Sequence, residues 1–274
     1  MTTTIAISNQ KGGVGKTTTA ASLAAELAIV GHRVLLIDAD PQGDLTRYFL
    51  TPDLVTASLA NTLLNGAPLA GEIRETAVIN LDIVPARIGL SNFDRASPHL
   101  SSILRTQIRT VPQYDYILID TPPNLGMLLS SSLLAARYVL VPVATAPFAL
   151  DGLDDLLDAV RGVQGLNEEL EILGLLSTMY DARTKLAHDC RADLVAAGER
   201  HNLYVFPTII HRDTRLEASS GAHKPIQLFD DRAPSVARFE ELAADVINRL
   251  GAKRPQLRIV GKEVADGRKL QVSS

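Results

Sequence analysis

The residue types best suited to chemistry begin at position 10, in the run Gln10-Lys11-Gly12-Gly13-Val14-Gly15-Lys16-Thr17-Thr18. Against the pattern G-x-x-x-x-G-K-[ST], Gly15, Lys16 and Thr17 match the last three positions, and Gln10 stands where the first glycine would be. Glycines let such a loop curl so that successive N–H groups face phosphate oxygens. A helix starting near Thr17 adds the partial positive charge of its N-terminus. Lys16 is then expected on the β- and γ-phosphates and the Thr17 hydroxyl on Mg²⁺. A dinucleotide site is the competing chemistry, because Asp38 lies about where a ribose-binding acid would fall. The run Gly13-x-Gly15-x-x-Thr18 lacks the third glycine of that motif, however. A lysine with two hydroxyls at the helix start suits a triphosphate with metal better than a pyrophosphate, and we reject the dinucleotide reading.

Three carboxylates complete the set. Asp38 and Asp40 stand one residue apart in LLIDADPQGD, so in an extended segment both can face the phosphates before Pro41 diverts the chain. Capping a turn is the competing role for either. Asp120 ends the apolar run Tyr116-Ile-Leu-Ile-Asp120 and precedes Thr121-Pro122-Pro123. A hydrophobic strand that delivers one acid to a metal is the Walker B arrangement.

These residues need strands that end together. Runs read as strands cover 4–8, 34–38, 82–85, 114–120, 138–143, 171–178 and 204–210, several of them continuously apolar, as in VLLID, YILID and YVLVPV. Continuous apolar strands suit a sheet covered on both faces. Ala/Leu-rich helical stretches such as 17–30 and 151–163 lie between them, and 235–250 forms a last amphipathic helix. The alternation predicts an α/β fold: a doubly wound, mainly parallel sheet of about seven or eight strands in a single domain. Residues 44–110 are the least informative, although 58–66 reads as a helix ending on glycine.

Composition narrows the classes. The chain has 274 residues, 46% hydrophobic and 21% charged, a globular balance with a formal net charge of −4. A protein that coats DNA is usually basic, so any DNA contact must come from a local patch. Aromatics make up 4% and Trp is absent, which argues against stacking platforms for single strands. Cys190 is the single cysteine, so an internal disulfide is excluded; it reads as a half-buried residue on a helix over 184–199. The domain is expected over 1–250. The tail from Gly251 holds six basic against two acidic residues and is expected to be flexible. No signal peptide precedes the first strand and no apolar run reaches membrane-span length, so a cytoplasmic location is expected.

The loop KGGVGKTT, with Lys11 as a second lysine, resembles the deviant Walker A motif of the ParA/MinD family of dimerising ATPases. The resemblance continues in D-x-D-P-Q-G at Asp38–Gly43 and in D-x-P-P at Asp120–Pro123. It implies that Lys11 reaches the phosphates of a partner subunit's nucleotide, where it acts like an arginine finger; a solvated surface lysine is the alternative. It also implies that Asp40 positions or activates the attacking water, while Asp38 supports the metal and the loop. Two later segments resemble the partition branch: Leu176–Thr184 is close to TM-x-DART, and Ile209–Glu217 stands where the branch has IPRNVRL. Here His211 replaces the proline and Asp213 the asparagine near the adenine; with Met179 they form the expected base contacts. Arg183 and Arg215 correspond to the arginines of a non-specific DNA patch, which Lys185, Arg212 and Lys224 would widen through phosphate contacts.

Because the phosphate loop begins at residue 10, the N-terminal helix-turn-helix of the larger partition ATPases, and with it sequence-specific operator binding, is not expected. Cys190 alone cannot supply the cluster cysteines of the related nitrogenase iron protein, and the polar tail does not resemble the MinD membrane anchor. Over most of the chain apart from 44–110, the resemblance implies an ATP- and Mg²⁺-dependent homodimer. That dimer would bind non-specific double-stranded DNA, associate with the nucleoid and respond to a ParB-like centromere-binding protein, with no membrane partner. The alternatives are a MinD-like membrane-surface regulator of division and a ParA-like positioner of protein cargo.

Overall fold

A computed structural model describes residues 2–51, 55–95, 98–147 and 150–251, so all but the first residue of the expected basic tail lies outside them. Eight strands are described: β1 (Thr3–Ile7), β2 (Val34–Asp38), β3 (Arg74–Glu75), β4 (Leu81–Val84), β5 (Tyr116–Asp120), β6 (Tyr138–Ala144), β7 (Glu171–Tyr180) and β8 (Val205–His211). They form one sheet in the order β3-β4-β2-β5-β1-β6-β7-β8. Every neighbouring pair is parallel except the antiparallel edge β3–β4. The expected doubly wound sheet is therefore present. Sequence reading missed β3, whose two residues carry no hydrophobic period, and started β5 two residues early. Asp115 is instead held outside that strand, its carboxylate accepting the Arg33 N–H at 2.8 Å.

Helices α1 (Lys16–Ile29), α2 (Asp44–Phe49), α3 (Leu59–Asn65), α4 (Leu69–Glu72), α5 (Ile103–Ile108) and α6 (Met127–Ala135) occupy the first half. The second half adds α7 (Asp151–Gln164), α8 (Lys185–His201), α9 (Thr214–Gly221), α10 (Ile226–Phe229) and α11 (Pro234–Arg249). The helix expected over 58–66 is α3: Ser58 caps it by accepting the Ala60 N–H at 3.2 Å, and Gly66 ends it at φ 72°.

The period of two along each strand sorts the core into layers. Ile5, Val34, Leu36, Tyr116 and Leu118 face α1 and α11, whereas Leu35, Ile37, Ile117 and Ile119 face the opposite layer with Phe93, Leu104 and Leu128. A third cluster joins β6 and β7 to α7 and α8. Parallel register sets Ile7 and Asp38 each opposite Asp120, so β1, β2 and β5 end side by side. In open α/β sheets that edge is where ligands bind.

Candidate functional site

The loop after β1 turns on two glycines. Gly13 lies at φ 72°, and Gly15, the N-cap position of α1, lies at φ 84°. An L side chain is strained in that region. No side chain among the described residues caps α1, and the first N–H groups of a helix have no partner within it. Three contacts anchor the loop. The buried Asn9 donates through Nδ2 to the Pro142 carbonyl at 2.7 Å and accepts the Lys11 N–H at Oδ1, 2.9 Å. From β7, the Thr178 hydroxyl donates to the Val14 carbonyl at 2.9 Å. The Lys16 ammonium donates to the Lys11 carbonyl at 3.1 Å, which places its charge at the loop rim. Burial pulls the Lys16 pKa down, while Asp120 and Asp40 pull it back up. Gln10 and Lys11 also lie against α7, where a Cβ added at Gly152 would meet Gln10 Cβ at 3.6 Å and Lys11 Cγ at 3.5 Å.

The Thr17 hydroxyl donates to Asp120 Oδ2 at 2.7 Å. Asp120 is 1% exposed, and its Oδ1 is buried with no hydrogen-bond partner among the described residues. Burial and then the Asp38 charge push this carboxyl well above the usual carboxylate range, opposed by Thr17 and Lys16. A hydroxyl oxygen beside an under-satisfied buried carboxylate is a donor set that fits a hard divalent cation.

Asp38 differs. Burial raises its pKa to about 7. Its Oδ2 accepts the Thr46 N–H at 2.8 Å and the Thr46 hydroxyl at 2.6 Å, and its Oδ1 accepts the Asp40 N–H at 3.2 Å. The Thr46 hydroxyl oxygen in turn accepts the Ala86 N–H at 2.9 Å. Asp38 thus fixes the turn into α2, and Thr17 meets Asp120 rather than Asp38. Asp40 is half-buried and acts electrostatically on both Lys16 and Asp120. Its Oδ1 accepts the Gln42 N–H at 3.0 Å, so it also performs the turn-capping role.

Beside the loop lies a cavity of about 280 Å³ lined by Gly15, Thr18, Met179, His211 and Asp213. Met179 adopts φ 53° and is 46% exposed. The His211 ring meets Tyr180 edge-on, with centroids 5.2 Å apart. Asp213 caps α9, its Oδ1 accepting the Arg215 N–H and its Oδ2 the Ser235 hydroxyl, both at 2.9 Å. An amino group of a base could donate to Asp213 only at an oxygen already in use.

Four of the expected DNA cations, Arg183, Lys185, Arg212 and Arg215, follow the C-terminal ends of β7 and β8, and three of them rest on carboxylates. Arg183 grips Asp181 with Nε at 2.8 Å and Nη2 at 2.7 Å. The Arg212 Nε reaches Glu217 at 3.0 Å, and the Arg215 Nη1 reaches Asp230 at 3.2 Å. Arg183 and Arg212 line one cleft of about 510 Å³ together with Arg238, a cation the sequence did not single out. Lys185 is exposed at the start of α8, whereas Lys224 lines a separate groove with Arg47 and Phe49. Sequence reading also missed Asn9, Thr46 and Thr178, whose roles depend on distant contacts that leave no local pattern.

Residues 2–172 match the family model described as AAA domain. The sporulation initiation inhibitor protein Soj of Bacillus subtilis (strain 168) is 41% identical over 252 residues, covering 88% of this chain and 97% of its own. The chromosome partitioning protein ParA of Myxococcus xanthus (strain DK1622) is 37% identical over 264 residues, covering 93% and 91%. Among solved structures, cobyrinic acid a,c-diamide synthase from Mycobacterium smegmatis, with bound ATP analog and magnesium, superposes at a TM-score of 0.80. It is 28% identical and covers 100% of both chains. The two-lysine loop, the paired strand-end carboxylates and this extent of identity place the chain in the ParA/MinD family of ATPases.

Proposed function

We propose that this chain is a partition ATPase that dimerises when ATP and Mg²⁺ are bound and holds duplex DNA without reading bases. Hydrolysis, slow alone and stimulated by a ParB-like centromere-bound partner, releases it. The observation that carries the reading is the loop itself: Lys16 turned onto the Lys11 carbonyl, above a Thr17–Asp120 pair with an unpartnered carboxylate oxygen. The bound nucleotides of solved relatives and the partition names of Soj and ParA proteins support it.

In this reading the amides from Gln10 to Thr18 cradle the phosphates and Lys16 neutralises the β- and γ-phosphate charge. Thr17 and Asp120 would hold Mg²⁺, with Asp38 behind them, and the cation neutralises phosphate charge when bound. Lys11 reaches the partner subunit's nucleotide, and Asp40 orients the attacking water. Met179, His211 and Asp213 border the base. Arg183, Lys185, Arg212, Arg215 and Lys224 meet DNA phosphates, and two such surfaces held rigidly in a dimer gain by effective concentration. The ATPase domain spans 1–250, with 251–274 as a basic tail, and the protein works in the cytoplasm on the nucleoid. Among the described residues no helix is long and apolar enough to cross a membrane.

Light scattering with ATP and Mg²⁺ tests the division of labour. Asp40→Ala is expected to form the ATP dimer yet hydrolyse about 100-fold more slowly, and Lys11→Ala to bind ATP yet remain monomeric. Wild-type turnover in the first variant removes Asp40 from catalysis, and a normal dimer in the second returns Lys11 to a surface role. Flotation on anionic vesicles with ATP, without DNA binding, would favour a MinD-like function.

A further inference from the structure

Three hydroxyls from three separate elements meet beside the phosphate loop. Tyr48 of α2 bonds Ser220 of α9 across 172 residues of sequence. Thr18 of α1 completes a triangle with them, 3.3 Å from the Tyr48 hydroxyl and 3.4 Å from that of Ser220. Tyr48 is 7% exposed, so its ring is fixed in the core while its hydroxyl points at the loop. Burial raises its pKa and keeps the phenol a hydrogen-bond donor.

What each element carries gives the cluster its meaning. α2 begins four residues after Asp40 and is locked to β2 by the Asp38–Thr46 hydrogen bonds, so it follows the carboxylate edge as one piece. α1 begins at the phosphate loop, and Thr18 and Ser220 both line the cavity beside it. α9 carries Arg215 and is capped by Asp213, the residue next to Arg212. Little of α9 is buried: Ser219 is its one fully buried residue, Leu216 packs part-buried against the core, and the ion pairs of Arg212 and Arg215 are solvent-exposed. A short helix with so little buried surface takes part of its position from the part-buried polar bonds that reach it.

We infer that Tyr48 is a positioning residue: through Ser220 it ties α9, and with it Arg212 and Arg215, to the carboxylate edge and the phosphate loop. A nucleotide that shifts α2 or engages Thr18 then moves the arginines through one hydrogen-bonded junction. The inference rests on the proposed ATP-dependent DNA binding.

The test is equilibrium binding of a fluorescent non-specific duplex to the full chain with a slowly hydrolysed ATP analogue. It compares wild type, Tyr48→Phe, Ser220→Ala and the double variant, with ATP-analogue affinity measured on the first two. Tyr48→Phe is expected to weaken DNA binding about tenfold while ATP-analogue affinity stays within about twofold. Ser220→Ala should match that loss in DNA binding, and the double variant should be no worse than either single change, the signature of one shared interaction. Wild-type DNA affinity in Tyr48→Phe, additive losses in the double variant, or an equal fall in nucleotide affinity would each overturn it. Should Tyr48→Phe fail to fold, Ser220→Ala decides alone: a tenfold loss supports the junction and none removes it. Wild-type protein that ignores DNA under these conditions sinks the partition reading and this inference together, whereas DNA binding by wild type with none of these losses sinks the inference alone.

Discussion

The phosphate-loop edge and the α8–α9 surface hold charges in opposite ways. At the edge, Asp38, Asp120 and Lys16 are buried, and their positions are fixed by hydrogen bonds to Thr46, Thr17 and the Lys11 carbonyl. At the surface, Arg183, Arg212 and Arg215 reach into solvent and rest on Asp181, Glu217 and Asp230. A buried charge without its partner costs several kcal/mol, whereas an exposed ion pair contributes roughly 0–1 kcal/mol. The edge is therefore built to hold one ligand geometry. The surface pairs can exchange one anion for another at little cost, as the proposed reversible contact with DNA phosphates requires.

Removing the Lys16 ammonium should have the largest effect. Lys16→Ala is expected to lower ATP affinity by about 100-fold or more, read by isothermal titration; normal affinity would refute the phosphate-loop assignment. Arg215→Glu should leave the ATP dimer intact and weaken duplex binding at least about tenfold, read by fluorescence anisotropy. Unchanged binding would show that the patch lies elsewhere.

The carboxylates that park the arginines sharpen the contrast further. Asp230→Asn releases Arg215 from its ion pair and removes a negative charge, so duplex affinity at low salt should rise about two- to threefold. A fall would mean that Asp230 orients Arg215 rather than competing for it. The smallest effect concerns the opposite end of the sheet. His32 is 3% exposed, and burial lowers its pKa below the ordinary 6.5, with Asp115 opposing. The unfolded chain therefore takes up the proton first, so stability is complete above the unfolded pKa and lost as pH falls through the folded one. The melting temperature of wild type should drop more steeply from about pH 7 to about pH 5 than that of His32→Phe; parallel curves would contradict this.

The same contrast explains what the sequence revealed. Strands buried on both faces must be continuously apolar, so VLLID and YILID announced β2 and β5 together with the acids at their ends. The loop was legible because Gly13, Gly15 and Lys16 act within one short segment. Residues 44–110 stayed opaque because their contribution is made over distance. Thr46 holds Asp38 and Ala86, and Tyr48 reaches Ser220. Asp94 packs so closely on Gly126 that a Cβ there would lie 2.4 Å from its Oδ1, while it accepts the Leu128 N–H at 3.1 Å. None of these leaves a local period or motif. Arg183 and Arg215 were singled out through the resemblance, but the carboxylates that hold the arginines were not, because Asp181, Glu217 and Asp230 read as ordinary surface acids.

Duplex binding at low salt with ATP, with ADP and without nucleotide, the ATP case repeated at higher salt, is the most direct test of the proposed function. Binding is expected only with ATP, falling with salt at a slope of about −0.9 for each phosphate contacted. Equal binding in all three states, or none in any, would contradict a nucleotide-gated electrostatic hold on DNA.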